Sequence, residues 1–554
     1  DNDTVNVGNT SDSDDHTSTL TDGTFTSTAT SSGQIHFFSE AMTQDLNTDP
    51  VILALPSAVT VEYINIVMGS GIDHITVNDS GTLVTDWDAS QVEGSVDTAA
   101  GKEVVDIIDN VVSHLIMRTG GDEDELNIKA KRHGLTIHAG SENDIINIGN
   151  EELLQNIAAN LTIKGEAGAD TINVDNSAST TNATATNITG AGYLTNAQLS
   201  GLDMAGVITY ETAEDLNIFL GKGHDLLTVV STHIGTTGIN DTGINKDVFR
   251  IKSIAGDTTI VAGAGVDEFT VGGDDDTLAG IQAALNLLSG DDDNVLILNN
   301  SGATSTQTSV LNDKRLTGDY MTGYIDYASF EDVSLLLGSG VDHFTVESTI
   351  AGSTHIKTGE ERDQVKIDQY FGTVVIDTEG GSDTIMLFDG IDDVAGVGAM
   401  LEVDGGEGGD NYIVTVANDI AGESFVNLDD SGSYGDDRLT YNGSDGDDLI
   451  QLDTVYDKAL DTSLEFSENR WLGGYGSHGD GLLIAHFDGQ SDEYDSVNLD
   501  DTDSLMDVKA SKLTAAINSM VLNYSTIEKV TLYAGKGNDK IISDDTSQVI
   551  DVYG

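Results

Sequence analysis

Short runs in which every second residue is apolar recur along the chain, among them DHITV at 73–77, DELNI at 124–128, DIINI at 144–148, DTINV at 170–174, DEFTV at 267–271 and DHFTV at 342–346. Alternation with a period of two predicts half-buried strands, one face in a core and the other in solvent. Between the runs stand Gly, Asp, Asn, Ser and Thr, the residues of tight turns. Proline occurs only at Pro50 and Pro56. The pattern predicts an all-β chain of many short strands.

Many of these strands follow a turn of the form Gly-x-Gly-x-Asp, as in IFLGKGHDLLTV at 218–229, LLLGSGVDHFTV at 335–346 and TLYAGKGNDKII at 531–542. With looser forms included, the Asp of the turn marks Asp73, Asp124, Asp144, Asp170, Asp225, Asp247, Asp267, Asp293, Asp342, Asp363, Asp383, Asp410, Asp448 and Asp539. From Asp225 the next three markers follow after 22, 20 and 26 residues, and from Asp342 after 21, 20 and 27. A coil of that length turning on glycine suits a parallel β-solenoid or β-helix, each rung burying its inward residues against its neighbours. Strands stacked about 4.8 Å apart would set like turn residues in a column.

A larger period overlies the coils. LSGLDMAGVITYETAEDLNIFLGKGHDLLTVVST from Leu199 aligns without gaps on LTGDYMTGYIDYASFEDVSLLLGSGVDHFTVEST from Leu316, a constant offset of 117. The segment from Leu513 keeps Tyr524, Glu528, Gly535 and Asp539 in the same relative places. The modules are tandem copies. They divide the chain into a partial module at 1–82 with a Ser/Thr/Asp-rich insertion, solenoid modules at 83–180, 181–304 and 305–414, an irregular and laterally placed region at 415–512, and the start of a further module at 513–554. The longer steps hold the inserts NEELLQNIAANLTIKG at 150–165, DDTLAGIQAALNLLSG at 275–290 and IDDVAGVGAMLEVDGG at 391–406, each expected to form a short amphipathic turn or helix. Because the sequence starts and stops within a module, copies are expected to join end to end.

Charge changes the picture next. The chain of 554 residues carries 95 acidic against 23 basic residues, a formal net charge of -72, which repels nucleic acid and anionic membranes. Two carboxylates about 5 Å apart repel by roughly 3 kcal/mol at an effective dielectric of about 20. Either the acids lie on a solvated surface, or a cation offsets them. With no cysteine, disulfides, thiolate metal sites and a thiol nucleophile are excluded. No apolar run approaches the roughly 18 residues of a membrane span.

The turns in GAGVDEFTV and GSGVDHFTV resemble the nonapeptide of the repeats-in-toxin, or haemolysin-type, calcium-binding family. The resemblance implies that the Gly-rich turn and its Asp hold Ca2+ between successive turns of a parallel β-roll. Here the motif recurs once per coil of 20 or more residues, whereas in that family it recurs every nine. On this resemblance the fullest candidate sites are Asp73 with Gly69 and Gly71, Asp225 with Gly221 and Gly223, Asp267 with Gly263 and Gly265, Asp342 with Gly338 and Gly340, and Asp539 with Gly535 and Gly537. At Asp124, Asp144, Asp293 and Asp363 the residue two before is acidic, namely Asp122, Glu142, Asp291 and Glu361, which adds a ligand and loses a glycine. Asp170, Asp383, Asp410 and Asp448 complete the set. An all-oxygen donor set suits a hard cation. The alternative is that Gly and Asp act only as turn formers.

The tandem modules, with their NDSG, NNSG and DDSG segments, also resemble the repeats of very large bacterial surface and extracellular proteins. That resemblance implies an adhesin, surface layer or fibre, by analogy of architecture. No H-E-x-x-H, G-x-S-x-G or phosphate-binding Gly-Lys loop is present. GYGSHG at 474–479 is followed by no β-α unit and reads as a loop. The expectation is a non-enzymatic extracellular protein of the cell surface, stiffened by Ca2+, whose partners are further copies of itself and cell-surface glycans. A polysaccharide-degrading parallel β-helix enzyme is the alternative.

Overall fold

The computed structural model describes residues 114–182 apart from 132 and 150, 191–388, 399–416 and 422–443, and elsewhere individual strands and a few single residues. Every regular element among the described residues is a strand. No helix there is long and apolar enough to cross a membrane. The chain divides into two compact units, Asp1–Phe269 with Gly280–Asn294, and Thr270–Ala279 with Val295–Gly554.

In the first unit the chain winds as a parallel β-solenoid, sending strands alternately to two sheets. One sheet takes Glu125–Ile128, Ile145–Ile148, Thr171–Asp175, Asp215–Phe219, Thr236–Asn240, Thr258–Val261 and Ala284–Leu288, each parallel to the next. The other takes His114–Arg118, Gly134–Ser141, Leu161–Ala167 and Val207–Glu211 in the same way. The register stacks like on like: Leu126 lies beside Ile146 and Ile146 beside Ile172, all fully buried. Period-two alternation therefore fills one core and leaves the intervening Glu, Asn and Thr partly in solvent.

The second unit repeats the plan. Val295–Asn299, Asp332–Leu336, Ser353–Lys357, Thr373–Asp377, Met400–Asp404 and Gly422–Asp429 form one parallel ladder. Asp342–Val346, Gln364–Ile367, Thr384–Leu387, Asn411–Thr415 and Arg438–Asn442 form the other. Thus the opening part of the span 415–512 stays in register with the coils before it. GYGSHG at 474–479 lies outside the described residues.

Two described modules, 181–304 and 305–414, open with an antiparallel hairpin. In the first unit Gln198–Ser200 runs antiparallel to both Gly192–Leu194 and Val207–Glu211. In the second, Arg315–Gly318 does the same between Gln307–Leu311 and Tyr324–Ala328. The repeated tyrosine closes it: the buried Tyr210 hydroxyl donates to Thr195 O, and Tyr327 donates to Asn312 O, both at 2.5 Å. The inserts expected to form a short turn or helix hold turns at 155–156 and 274–280 and no helix among their described residues, and they then deliver Leu161–Ala167, Ala284–Leu288 and Met400–Asp404 to the sheets. Their apolar residues serve a strand face, while Leu154, Ile157, Leu278 and Ile281 line an extra buried limb.

Candidate metal centre

Among the described residues the marker aspartates other than Asp293 are buried, and the reason is a hydrogen bond that the sheets do not supply. A marker sits where the turn enters a strand, and its backbone N–H points at the next coil. There the following marker's carboxylate accepts it. Asp124 N–H donates to Asp144 Oδ1 at 2.8 Å, and Asp144 N–H to Asp170 Oδ1 at 2.9 Å. Asp225 donates to Asp247 at 2.6 Å, and Asp247 to Asp267 at 2.8 Å. In the second unit the series runs Asp342 to Asp363, Asp363 to Asp383, Asp383 to Asp410 and Asp410 to Asp437, at 2.7–2.8 Å. These are aspartate ladders, one rung per coil.

One continuous column, as the motif suggests, is not what forms. After Asp170 the rung is Glu214, whose Oε2 accepts the Asp170 N–H at 2.8 Å. Asp124, Asp144 and Asp170 lead into the sheet of Glu125–Ile128, whereas Asp225 and Asp247 lead into Leu226–Val229 and Val248–Ile251 of the opposite sheet. The hairpin at 192–211 inserts additional strands and shifts the alternation, so the ladder changes edge at the module lead. A second correction concerns Asp293, which is exposed; the rung is Asn294, whose Oδ1 accepts the Asp267 N–H at 2.8 Å.

Asp122, Glu142 and Glu361 take left-handed backbone (φ 85°, 78° and 78°) where other turns have glycine, and like Asp291 they are exposed, away from the ladder. Glycine at the turn serves close stacking. A Cβ at Gly338 would meet Ala303 O at 2.0 Å, and one at Gly340 would meet Ser305 O at 2.2 Å. Gly221, Gly223 and Gly265 likewise lie against carbonyls of the coil before, and Gly263 has φ 86°. Gly535 also has positive φ, at 95°. Gly69, Gly71, Gly537 and Asp539 lie outside the described residues, and Asp73 and Asp448 are described only as the first residues of Asp73–Val77 and Asp448–Val455.

A carboxylate has two oxygens, and the ladder uses one. The Oδ2 atoms of Asp144, Asp170, Asp225, Asp247, Asp267, Asp342, Asp363, Asp383 and Asp410 are buried and accept no hydrogen bond. Burial lifts Asp144 from 3.8 to about 7, opposed by the Asp124 N–H and reinforced by the charges of Asp124 and Asp170. Asp342 and Asp363 are likewise raised to about 7 and Asp383 to about 6, again chiefly by burial. Asp225, Asp247 and Asp410 rise by burial and by one another's or neighbouring charges. Such groups are held neutral or meet a cation.

Two places among the described residues concentrate the charge. Asp225, Asp241 and Asp247 in the first unit, and Asp410, Asp430 and Asp437 in the second, each bring three buried carboxylates to within 4.8 Å of one another. At an effective dielectric of about 20 each ionised pair there repels by roughly 3 kcal/mol. All donors are oxygen, with neither His nor Cys among them, so each cluster is placed to hold a hard metal ion. Asp241, Asp247, Asp430 and Asp437 are absent from the sequence-derived sites, although Asp247 is one of the turn markers. Asp241 and Asp430 stand in NDTG and DDSG, and Asp437 follows Asp410 after the same 27 residues that separate Asp383 from Asp410.

The separate parts played by the two oxygens give a testable contrast at Asp363. Asp363→Asn keeps an acceptor for the Asp342 N–H, as Asn294 does for Asp267, and removes a charge that is costly to bury. In chelator at neutral pH it is expected to be neutral or stabilising. Asp363→Ala orphans the N–H and is expected to cost about 1–3 kcal/mol. Urea unfolding of both variants measures the difference. Comparison of the chain with protein-family models, curated proteins and solved structures finds no match.

Proposed function

We propose that the chain is a non-enzymatic extracellular structural protein whose buried aspartate clusters bind Ca2+, the ion stiffening a β-solenoid that serves in a filament, surface layer or adhesin stalk. The observation that carries this reading is the pair of carboxylate triads, each within 4.8 Å and each including at least one buried oxygen that accepts no hydrogen bond. Contacts of about 2.4 Å from one ion span that separation, and Ca2+ takes such all-oxygen sites readily. When bound, Ca2+ would supply the positive charge that the carboxylates lack. The chain's own part is to bury and orient them: N–H groups fix one oxygen of Asp247 and Asp437, turning the carboxylate plane.

Burial also favours structure over catalysis. Asp225, Asp241 and Asp247 are 5%, 3% and 0% exposed, so no polymer substrate reaches them. Binding to the folded state alone stabilises it by mass action. In a calcium-rich exterior the ion then relieves the repulsion inside each cluster, so that the coils close and copies stack.

Sedimentation velocity tests this reading. Moving the chain from chelator into millimolar Ca2+ is expected to convert a slow, expanded species into a compact one or into polymers, while an acidic polysaccharide incubated with it keeps its viscosity. An unchanged profile, or a falling viscosity with new unsaturated sugar ends, would overturn it in favour of a solvated acidic surface or an enzyme.

A further inference from the structure

The ladders repeat, yet their rungs do not face equal surroundings. Opposite each rung's Oδ2 lies the residue that follows the strand of the other sheet. In the second unit the register Lys357–Asp377–Asp404–Asp429 makes these limb residues Thr358, Thr378, Gly405 and Asp430. In the first unit the register Asn240–Val261–Leu288 makes them Asp241, Ala262 and Ser289. The placement is direct at Gly405, where a Cβ would lie 2.9 Å from Asp410 Oδ2 and 3.0 Å from Asp430 Oδ2. Most coils therefore set a small or hydroxyl-bearing residue against the rung. Only two described coils set a carboxylate there.

We propose that, among the described coils, cation binding is confined to those two, with one hard divalent ion held by Asp225, Asp241 and Asp247 and one by Asp410, Asp430 and Asp437. The remaining rungs are hydrogen-bond devices that bind no ion by themselves. The limb sequence Asp-Ser/Thr-Gly is what turns a rung into a site, and this rests on the calcium reading above.

The hydrogen bonds support the division of labour. Asp241 Oδ1 accepts the Gly243 N–H and Asp247 Oδ1 the Asp225 N–H, so both side chains are fixed by one oxygen. The Oδ2 atoms of Asp225, Asp241 and Asp247 are all buried and accept no hydrogen bond, and one carboxylate oxygen of each residue lies within 4.8 Å of those of the other two. In the second unit Asp430 Oδ1 accepts the Gly432 N–H at 3.2 Å, and Asp437 Oδ1 accepts the Asp410 N–H at 2.8 Å. Asp410 Oδ2 is the buried oxygen left over. The Tyr412 hydroxyl donates to Asp429 O at 2.8 Å and reaches Asp430 Oδ2 at 3.4 Å, which puts an aromatic ring beside this site. By contrast Asn294, which has no second carboxylate oxygen, serves as a rung. Two functions are thus separable along one ladder.

Equilibrium dialysis of the full chain against Ca2+, with Tb3+ luminescence as a second readout, decides this. Asp241→Asn and Asp430→Asn are each expected to remove one bound Ca2+, and together two. Asp383→Asn, at a rung facing Thr378, is expected to leave the count unchanged. Tyr412→Phe should weaken tyrosine-sensitised Tb3+ emission and leave the count intact. Thr358→Asp, which sets a limb carboxylate opposite Asp363, is expected to add one ion and remains informative if the Asn variants fold poorly. Unchanged binding in the double variant, or no gain in Thr358→Asp, would overturn the limb rule while calcium binding stands. A wild-type chain that takes up no Ca2+ would overturn the calcium reading itself.

Discussion

Millimolar Ca2+ is expected to raise the thermal unfolding midpoint of the chelated chain at neutral pH by about 5 °C or more. An ion present at about 100 times its dissociation constant stabilises the state that binds it by roughly 2.7 kcal/mol per site. Each unit carries one triad among its described residues, so each should respond. Mg2+, which demands shorter contacts and holds its water, should act less strongly. Calorimetry in chelator, Mg2+ and Ca2+ gives the comparison, and equal midpoints in all three would count against the triads as sites.

The second large effect is on pH dependence without the ion. Asp144, Asp342 and Asp363 are lifted to about 7, and Asp267 and Asp383 to about 6, from 3.8. Between these values the folded chain binds more protons than the unfolded chain, so stability falls as pH rises. The contribution is fully present below about pH 4 and is lost as pH passes 6 to 7. Lifting one carboxyl to about 7 costs the folded state roughly 4 kcal/mol once it ionises. A few such rungs together reach the ~5–15 kcal/mol that hold a domain. The midpoint in chelator is therefore expected to fall by about 10 °C or more from pH 5 to 7.5. Asp363→Asn should flatten that slope by about one proton, which separates the rungs from general repulsion among surface acids. A midpoint that rises with pH in chelator would contradict the buried, uncompensated carboxylates.

Much of the architecture is visible in the residues, because period-two alternation and Gly-Asp turns each have a single geometric meaning in a coil. Leu126 and Ile128 or Phe344 and Val346 could be assigned inward from the strand pattern alone, and all four are buried. The inserts at 150–165 and 275–290 read as a turn or a helix, since short apolar spacings fit a helix turn; the chain turns there, and tertiary pairing draws Leu161–Ala167 and Ala284–Leu288 into strands. Where several acids stand together the marker is underdetermined: GDDDN offers Asp291, Asp292 and Asp293 before Asn294, and only packing shows that the amide faces the core. The triads were hidden for another reason. Asp241 meets Asp225 and Asp247 from the limb after the opposite strand, a neighbour fixed by sheet register rather than by motif spacing. Likewise, the ladder's change of edge after Asp170 depends on a hairpin whose antiparallel pairing leaves no periodic signal.

The most direct test of the buried aspartate clusters as calcium centres is isothermal calorimetry of the chelator-stripped chain titrated with Ca2+ at pH 7. Saturable uptake of at least two ions, accompanied by proton release as buried carboxyl groups ionise, is the expected result. Absence of saturable heat at millimolar Ca2+, with the fold intact by circular dichroism, would contradict it and leave the ladders as neutral hydrogen-bond rungs.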